Sequence, residues 1–371
     1  MKLRALVLPA LMTLAVAATP AAAQPACSGP DERLMSWPDV NPVWQFCWLR
    51  PAASSGANGS GIEIRDAHYN GHLVLKRGHV PIVNVQYDSG NCGGASHCYR
   101  DWTNLEWNML ADNICPPPYS GGMCGYAEPT CPPVTVCQQH QGVDVCTAPP
   151  PDCVRSCFRG VTAEKLADRL VLTSETKAGW YRYEIKWTFY LDGRFQPTFG
   201  FGAVADGCVS FTHRHHAYYR LDFDIEGPAG DIVTEGPLPG PGDPGRGRRP
   251  PIVVLPAETM RIRRDPAMTW SVTDDDTRRG YRIQPGAEAL LPANAFAVGD
   301  VWLLNYSPTE IDDVGQSGPA CAVKISNFLT GETLADDVVL WYRAGALHQG
   351  GDLDDCHTVG PMIVPVGDWS P

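Results

Sequence analysis

Residues 209–227 read VSFTHRHHAYYRLDFDIEG, and their alternation decides the fold class. Successive side chains of an extended strand point to opposite faces. Phe211, His213, His215, Ala217, Tyr219, Leu221 and Phe223 therefore share one face, and Arg214, His216, Arg220, Asp222 and Asp224 share the other. Two histidines thus lie on an apolar face, roughly 6–7 Å apart at the rise of a strand, a spacing that suits two ligands of one metal ion. Buried histidines need partners, which separates this pair from a solvated surface His-x-His.

Two other stretches alternate in the same way. In GIEIRDAHYNGHLVLKR (61–77) the pair Asn70-Gly71 sits between two strand-like runs, a hairpin signal because both residues tolerate positive φ. In WYRYEIKWTFYLDGRF (180–195) Tyr181, Tyr183, Ile185, Trp187, Phe189 and Leu191 share a face before Asp192-Gly193 turns the chain. Shorter strands are expected at Ile252–Leu255, Val301–Asn305 and Val338–Tyr342, and a helical turn at Ala163–Leu170. The 37 glycines and 34 prolines among 371 residues disfavour long helices. The sum is a mainly β protein, a large antiparallel β sandwich.

The remaining stretches bound the rest. Residues 1–23 carry Lys2 and Arg4, an apolar run and a small-residue site at Ala21-Ala22-Ala23, and read as a secretory signal peptide. Residues 24–371 are then expected to form a single β sandwich, secreted or periplasmic, with no membrane span. Removing the leader leaves 27 basic against 41 acidic residues, a formal net charge of −14, which repels phosphate backbones and argues against nucleic-acid binding. All 14 cysteines follow the leader, and an even count in an exported chain reads as up to seven disulfides of open connectivity. Nine fall between Cys92 and Cys157, where a disulfide-stapled insert is expected over about 102–160. Zinc or iron–sulfur chemistry is disfavoured because no paired Cys-x-x-Cys spacing occurs. The Pro/Gly-rich segment 227–251 reads as a long exposed loop.

THRHHAYYRLDFDIEG resembles the copper strand of the copper-containing, topaquinone-dependent amine oxidases, in which His-x-His precedes Arg-Leu-Asp-x-Asp at a fixed interval. DDVVLWYRAGALH (336–348) is similar to the family's third-histidine strand through Trp341, Gly345 and His348, and PMIVP (361–365) resembles the segment after it. The resemblance implies copper held by His213, His215 and His348, with His357 in reserve. It covers Trp44 to Trp369 in pieces and only the family's catalytic sandwich. The hairpins that help build the usual homodimer are trimmed, which leaves the oligomeric state open.

Further roles follow from the same resemblance. Tyr181 stands at the position of the tyrosine that becomes topaquinone, with Tyr183, Trp187 and Asp192-Gly193 in register, while Trp180 replaces the family's Asn and Arg182 its acid. Tyr87, in Val85-Gln86-Tyr87, takes the place of the tyrosine that orients the quinone. Asp101, in Cys98-Tyr99-Arg100-Asp101, takes that of the catalytic base by spacing, with Asp88 as competitor. Asp222, Asp224 and Asp337 would bind calcium together with backbone oxygens of Phe223 and Val338, a donor set suited to a hard cation.

The implied activity is oxidation of a primary amine by molecular oxygen and water to an aldehyde, ammonia and hydrogen peroxide. Asp101 would remove a proton beside the amine nitrogen. Two rivals are a catalytically silent secreted copper-binding or interaction protein on the same fold, favoured by Trp180 and Arg182, and a purely structural disulfide-rich module.

Overall fold

The computed structural model describes residues 25–49, 51–56, 61–88, 92, 97–101, 161–178, 181–203, 208, 210–238, 251–286, 299–318, 321–334, 337–349 and 357–371. The expected leader (1–23) and the expected Cys-rich insert (about 102–160) lie outside them. In chain order the strands are β1 (Arg33–Trp37), β2 (Trp44–Leu49), β3 (Glu63–Tyr69), β4 (His72–Tyr87), β5 (Cys98–Arg100), β6 (Val161–Lys165), β7 (Arg169–Ala178), β8 (Tyr181–Tyr190), β9 (Phe195–Ala203) and β10 (His213–Phe223). There follow β11 (Asp231–Pro237), β12 (Val253–Val254), β13 (Thr259–Arg261), β14 (Met268–Asp274), β15 (Gly280–Gln284), β16 (Val301–Asn305), β17 (Val338–His348), β18 (His357–Val359) and β19 (Met362–Val366). No α-helix occurs among the described residues, and none of their helices is long and apolar enough to cross a membrane.

These strands form two antiparallel sheets. One has nine strands in the order β1-β2-β3-β4-β10-β17-β16-β13, with β5 on β4; the other has ten in the order β12-β11-β14-β15-β19-β9-β8-β7-β6, with β18 on β9. Their inner faces enclose one core in which Trp44, Trp187, Tyr219, Phe223 and Trp270 are almost fully buried. Trp187 crosses from one sheet to the other, its indole N–H donating to the Ile62 carbonyl at 3.0 Å. A Cβ on Gly78 would lie 2.7 Å from the Trp187 ring, so that glycine makes room for it.

Both hairpin signals hold. Asn70 and Gly71 adopt φ of 50° and 84° between β3 and β4, and Gly193 adopts 84° between β8 and β9. Two expectations change. AEKLADRL is a β-hairpin, β6 and β7, because pairing along both strands outweighs local helix propensity. The segment 227–251 is not all loop: Asp231–Pro237 forms β11, where the β-branched run Ile232-Val233-Thr234 pairs with β14. The polar face of β10 is buried too, since β10 is central and its outer side is covered by Trp302, Ile325, Phe328 and Trp341 packed around Tyr218.

The sandwich is cross-linked by disulfides Cys27–Cys47, Cys92–Cys208 and Cys98–Cys321. Two cysteines that the sequence assigns to the stapled cluster, Cys92 and Cys98, therefore tie the chain just before the expected insert to the sandwich itself. The other eight cysteines lie outside the described residues.

Candidate metal and catalytic site

The site grows from the pairing of β10. His213 lies opposite His348 on β17 and opposite Tyr87 on β4, so one rung of the sheet carries all three rings. His215 follows two residues later on the same inner face. His213, His215 and His348 are each 1 % exposed or less. The His213 ring centroid lies 4.9 Å from that of His215 and 4.6 Å from that of His348, and Tyr87 sits 5.2 Å from His213. Phe201 on β9 covers the group from the other sheet, 3.7 Å from the His215 ring.

Hydrogen bonds orient the imidazoles. His213 Nδ1 donates to the Phe211 carbonyl at 2.6 Å, which makes Nε2 the nitrogen with the lone pair. His215 Nδ1 lies 3.1 Å from the Tyr183 hydroxyl, and that hydroxyl in turn donates to Asp101 Oδ2. With its own proton given to the carboxylate, the Tyr183 oxygen accepts from His215 Nδ1–H, and Nε2 again carries the lone pair. Ring nitrogens fixed by a second partner in this way are characteristic of metal-binding histidines. Three buried imidazoles fit copper(II) by donor chemistry. The trio is more open than a closed site: among the described residues, the group of three or more whose ligand atoms all lie within 4.8 Å of one another is Asp222, Asp224 and Asp337.

Asp101 is 8 % exposed, and burial pushes its carboxyl up to about 7 against the lowering effect of the Tyr183 hydrogen bond. A buried carboxyl held near neutrality is matched to proton transfer. Its neighbour Arg100 is anchored by an ion pair with the fully buried Asp313, which also accepts from the Lys324 N–H at 2.8 Å. Asp88, the competitor, pairs instead with Arg214, and its side chain is 40 % exposed.

Tyr181 is the first residue of β8, opposite Ala203 and two positions before Tyr183. Its side chain lies outside the described residues, as do Trp180 and the side chains of Arg182 and His357. Sequence reasoning treated Tyr183 only as a motif position and passed over Arg100, Phe201 and Asp313. The Tyr-x-Tyr alternation was the available signal for Tyr183; contacts between distant segments leave none for the others.

The acidic trio sits where β10 ends and β17 begins. Asp222 Oδ2 accepts from Arg220 at 3.2 Å, while Asp222, Asp224 and Asp337 each keep an Oδ1 that is buried without a hydrogen-bond partner among the described residues. Burial first, and then the negative charges of the neighbouring aspartates, raise Asp224 to about 7 and Asp337 to about 8. These orphaned oxygens fit a hard cation.

No model of a known protein family matches the sequence, and no curated protein does. Solved structures match by fold. A copper-containing benzylamine oxidase from Hansenula polymorpha aligns over 96 % of this chain and 63 % of its own, with TM-score 0.61 and 13 % identity. The Pichia pastoris lysyl oxidase aligns over 88 % and 52 %, with TM-score 0.56 and 15 % identity. The Aspergillus nidulans amine oxidase aligns over 87 % and 51 %, with TM-score 0.55 and 15 % identity. The chain thus spans between about half and just under two thirds of the length of these structures.

Proposed function

We propose that this chain, whose sandwich has the fold of the copper-containing amine oxidases, is an exported oxidase of primary amines that uses copper and a quinone made from Tyr181. The observation that carries the reading is the buried chain of contacts from Asp101 through Tyr183 to His215, on the sheet where His213 and His348 share a rung.

Copper would be held by His213, His215 and His348, and the quinone made from Tyr181 would supply the electron-accepting carbonyl that unmodified side chains lack. The residues do the rest. Asp101, ionised above about pH 7, takes the proton from the carbon beside the amine nitrogen. Tyr183 holds that carboxylate by its hydroxyl proton and fixes the His215 tautomer. Tyr87, 2 % exposed and packed against His213, orients the ring made from Tyr181. Phe201 excludes water from the imidazoles.

The test is formation of the quinone. Copper-free protein exposed to copper in air should yield a Tyr181 peptide that has gained two oxygens and lost two hydrogens, and phenylhydrazine should label that peptide. An unmodified Tyr181 in copper-loaded, oxygen-exposed protein rejects the oxidase and leaves a secreted copper-binding relative.

Asp222, Asp224 and Asp337 are assigned here to calcium, with a structural role. Chelation should lower the melting temperature by about 5 °C, the stabilisation expected of an ion bound well above its dissociation constant. An unchanged melting temperature in calcium-saturated and chelated protein removes that assignment.

A further inference from the structure

Asp101, the base of the proposed reaction, follows a very short strand. β5 has three residues and, among the described residues, pairs with β4 alone, through Cys98↔Gln86, Tyr99↔Val85 and Arg100↔Asn84. A pairing of this length is marginal by itself. Yet Asp101 is buried, and its carboxylate meets the Tyr183 hydroxyl of the other sheet. More than the ladder must hold β5 in place.

Alternation shows from which side it is held. Val85 belongs to the core, so Tyr99 opposite it and Asp101 two residues later face inward. Cys98 and Arg100 face outward beside Gln86 and Asn84, and both are buried. There they meet the segment 310–324, of which 310–318 and 321–324 are described. Arg100 pairs with Asp313 and donates to the Ala322 carbonyl at 2.9 Å, Cys98 is bonded to Cys321, and Asn84 Nδ2 donates to the Cys321 carbonyl at 3.0 Å. The other end of the segment is fastened to the same sheet. Arg220 Nε on β10 donates to the Glu310 carbonyl at 3.0 Å, and His79 Nε2 on β4 donates to the Ile311 carbonyl at 3.1 Å. Asp313 joins the two ends by accepting from the Lys324 N–H at 2.8 Å.

We propose, resting on the oxidase reading, that residues 310–324 are a strap that positions Asp101 from the outer face of the nine-stranded sheet, with the Cys98–Cys321 disulfide as its fastening. Asn84, Cys98 and Cys321 are positioning residues, since none of them touches a reacting atom. A displacement of about 1 Å at a catalytic group can cost about a hundredfold in rate. Loss of the fastening therefore acts on turnover more than on amine binding.

Peptide mapping of the native chain should recover Cys98 joined to Cys321, and any other pairing of either cysteine overturns the proposal. In full-length, copper-loaded protein, Cys98→Ser combined with Cys321→Ser should lower kcat by about tenfold or more, with KM within about threefold and copper and quinone contents unchanged. The control, Cys27→Ser with Cys47→Ser, removes a bridge to β2, two strands from β4. Well below the melting temperatures of both variants it should keep kcat within about twofold of the native value. Equal losses in the two variants would mean general loosening, and unchanged kcat in both would mean that the ladder alone holds Asp101; either result overturns the strap. Native-state hydrogen exchange decides if the first variant does not fold or the native chain oxidises no amine. The amides of β5 and of Lys324 should then open in one event short of global unfolding, and separate openings overturn the strap. Joint opening in a chain that oxidises no amine removes the oxidase reading and leaves the strap standing.

Discussion

Asp101→Asn is expected to lower turnover of a primary amine by about a hundredfold or more, with copper content unchanged. The substitution keeps the shape of the side chain and an acceptor for the Tyr183 hydroxyl, but removes the carboxylate that the proposed reaction uses as its base. In the native chain kcat/KM should rise as pH passes through about 7, because only the ionised carboxylate is a base. The stability effect has the opposite sign. A carboxyl raised from its ordinary value to about 7 binds its proton more tightly folded than unfolded, so it favours the folded state at low pH, and that contribution is lost as pH rises to 7. At pH 8 the Asn variant should therefore be no less stable than the native chain. Unchanged turnover would return the role to Asp88 or to neither carboxylate.

Asp313→Ala is expected to cost about 3–5 kcal/mol of folding stability, read from the denaturant midpoint. Asp313 is fully buried, pairs with Arg100 and accepts from the Lys324 N–H at 2.8 Å. Removing it takes the carboxylate from a guanidinium whose side chain is 5 % exposed, leaving the neutral Ala322 carbonyl among its acceptors, and orphans a backbone donor. Because Arg100 ends β5 and Asp101 follows it, turnover should fall with stability here, whereas Asp101→Asn separates the two. A loss below about 1 kcal/mol would mean that the pair is solvated and does not anchor the base.

The sandwich was legible because period-two alternation is hard to produce by accident over runs as long as 211–223 or 181–191. The same alternation assigned the inner face of β10 correctly but could not show that the outer face is buried as well. Burial on that side comes from Ile325 and Phe328, about a hundred residues further along the chain. Local pattern failed where pairing partners decide: AEKLADRL has helix-forming residues yet pairs as β6 and β7, and the strand in GDIVTEGP was hidden by the glycines and prolines around it. Asp88 and Asp101 were both legible as candidate bases. The difference between them, an exposed ion pair with Arg214 against a buried contact with Tyr183, exists only after strands far apart in sequence have come together.

The rung that joins Tyr87, His213 and His348 also constrains when the centre can exist. Its three residues come from the first, second and last thirds of the chain, and β10 sits between β4 and β17, so no stretch of consecutive residues contains the site. Such long-range pairings form slowly, because loop closure must be completed before the contacts stabilise it. On the proposed reading, copper capture by the full trio would be a late event in the life of each molecule. A chain interrupted before residue 338 would lack β17 altogether, leaving an incomplete ligand set and an open seam beside β10 onto which another chain could add a strand.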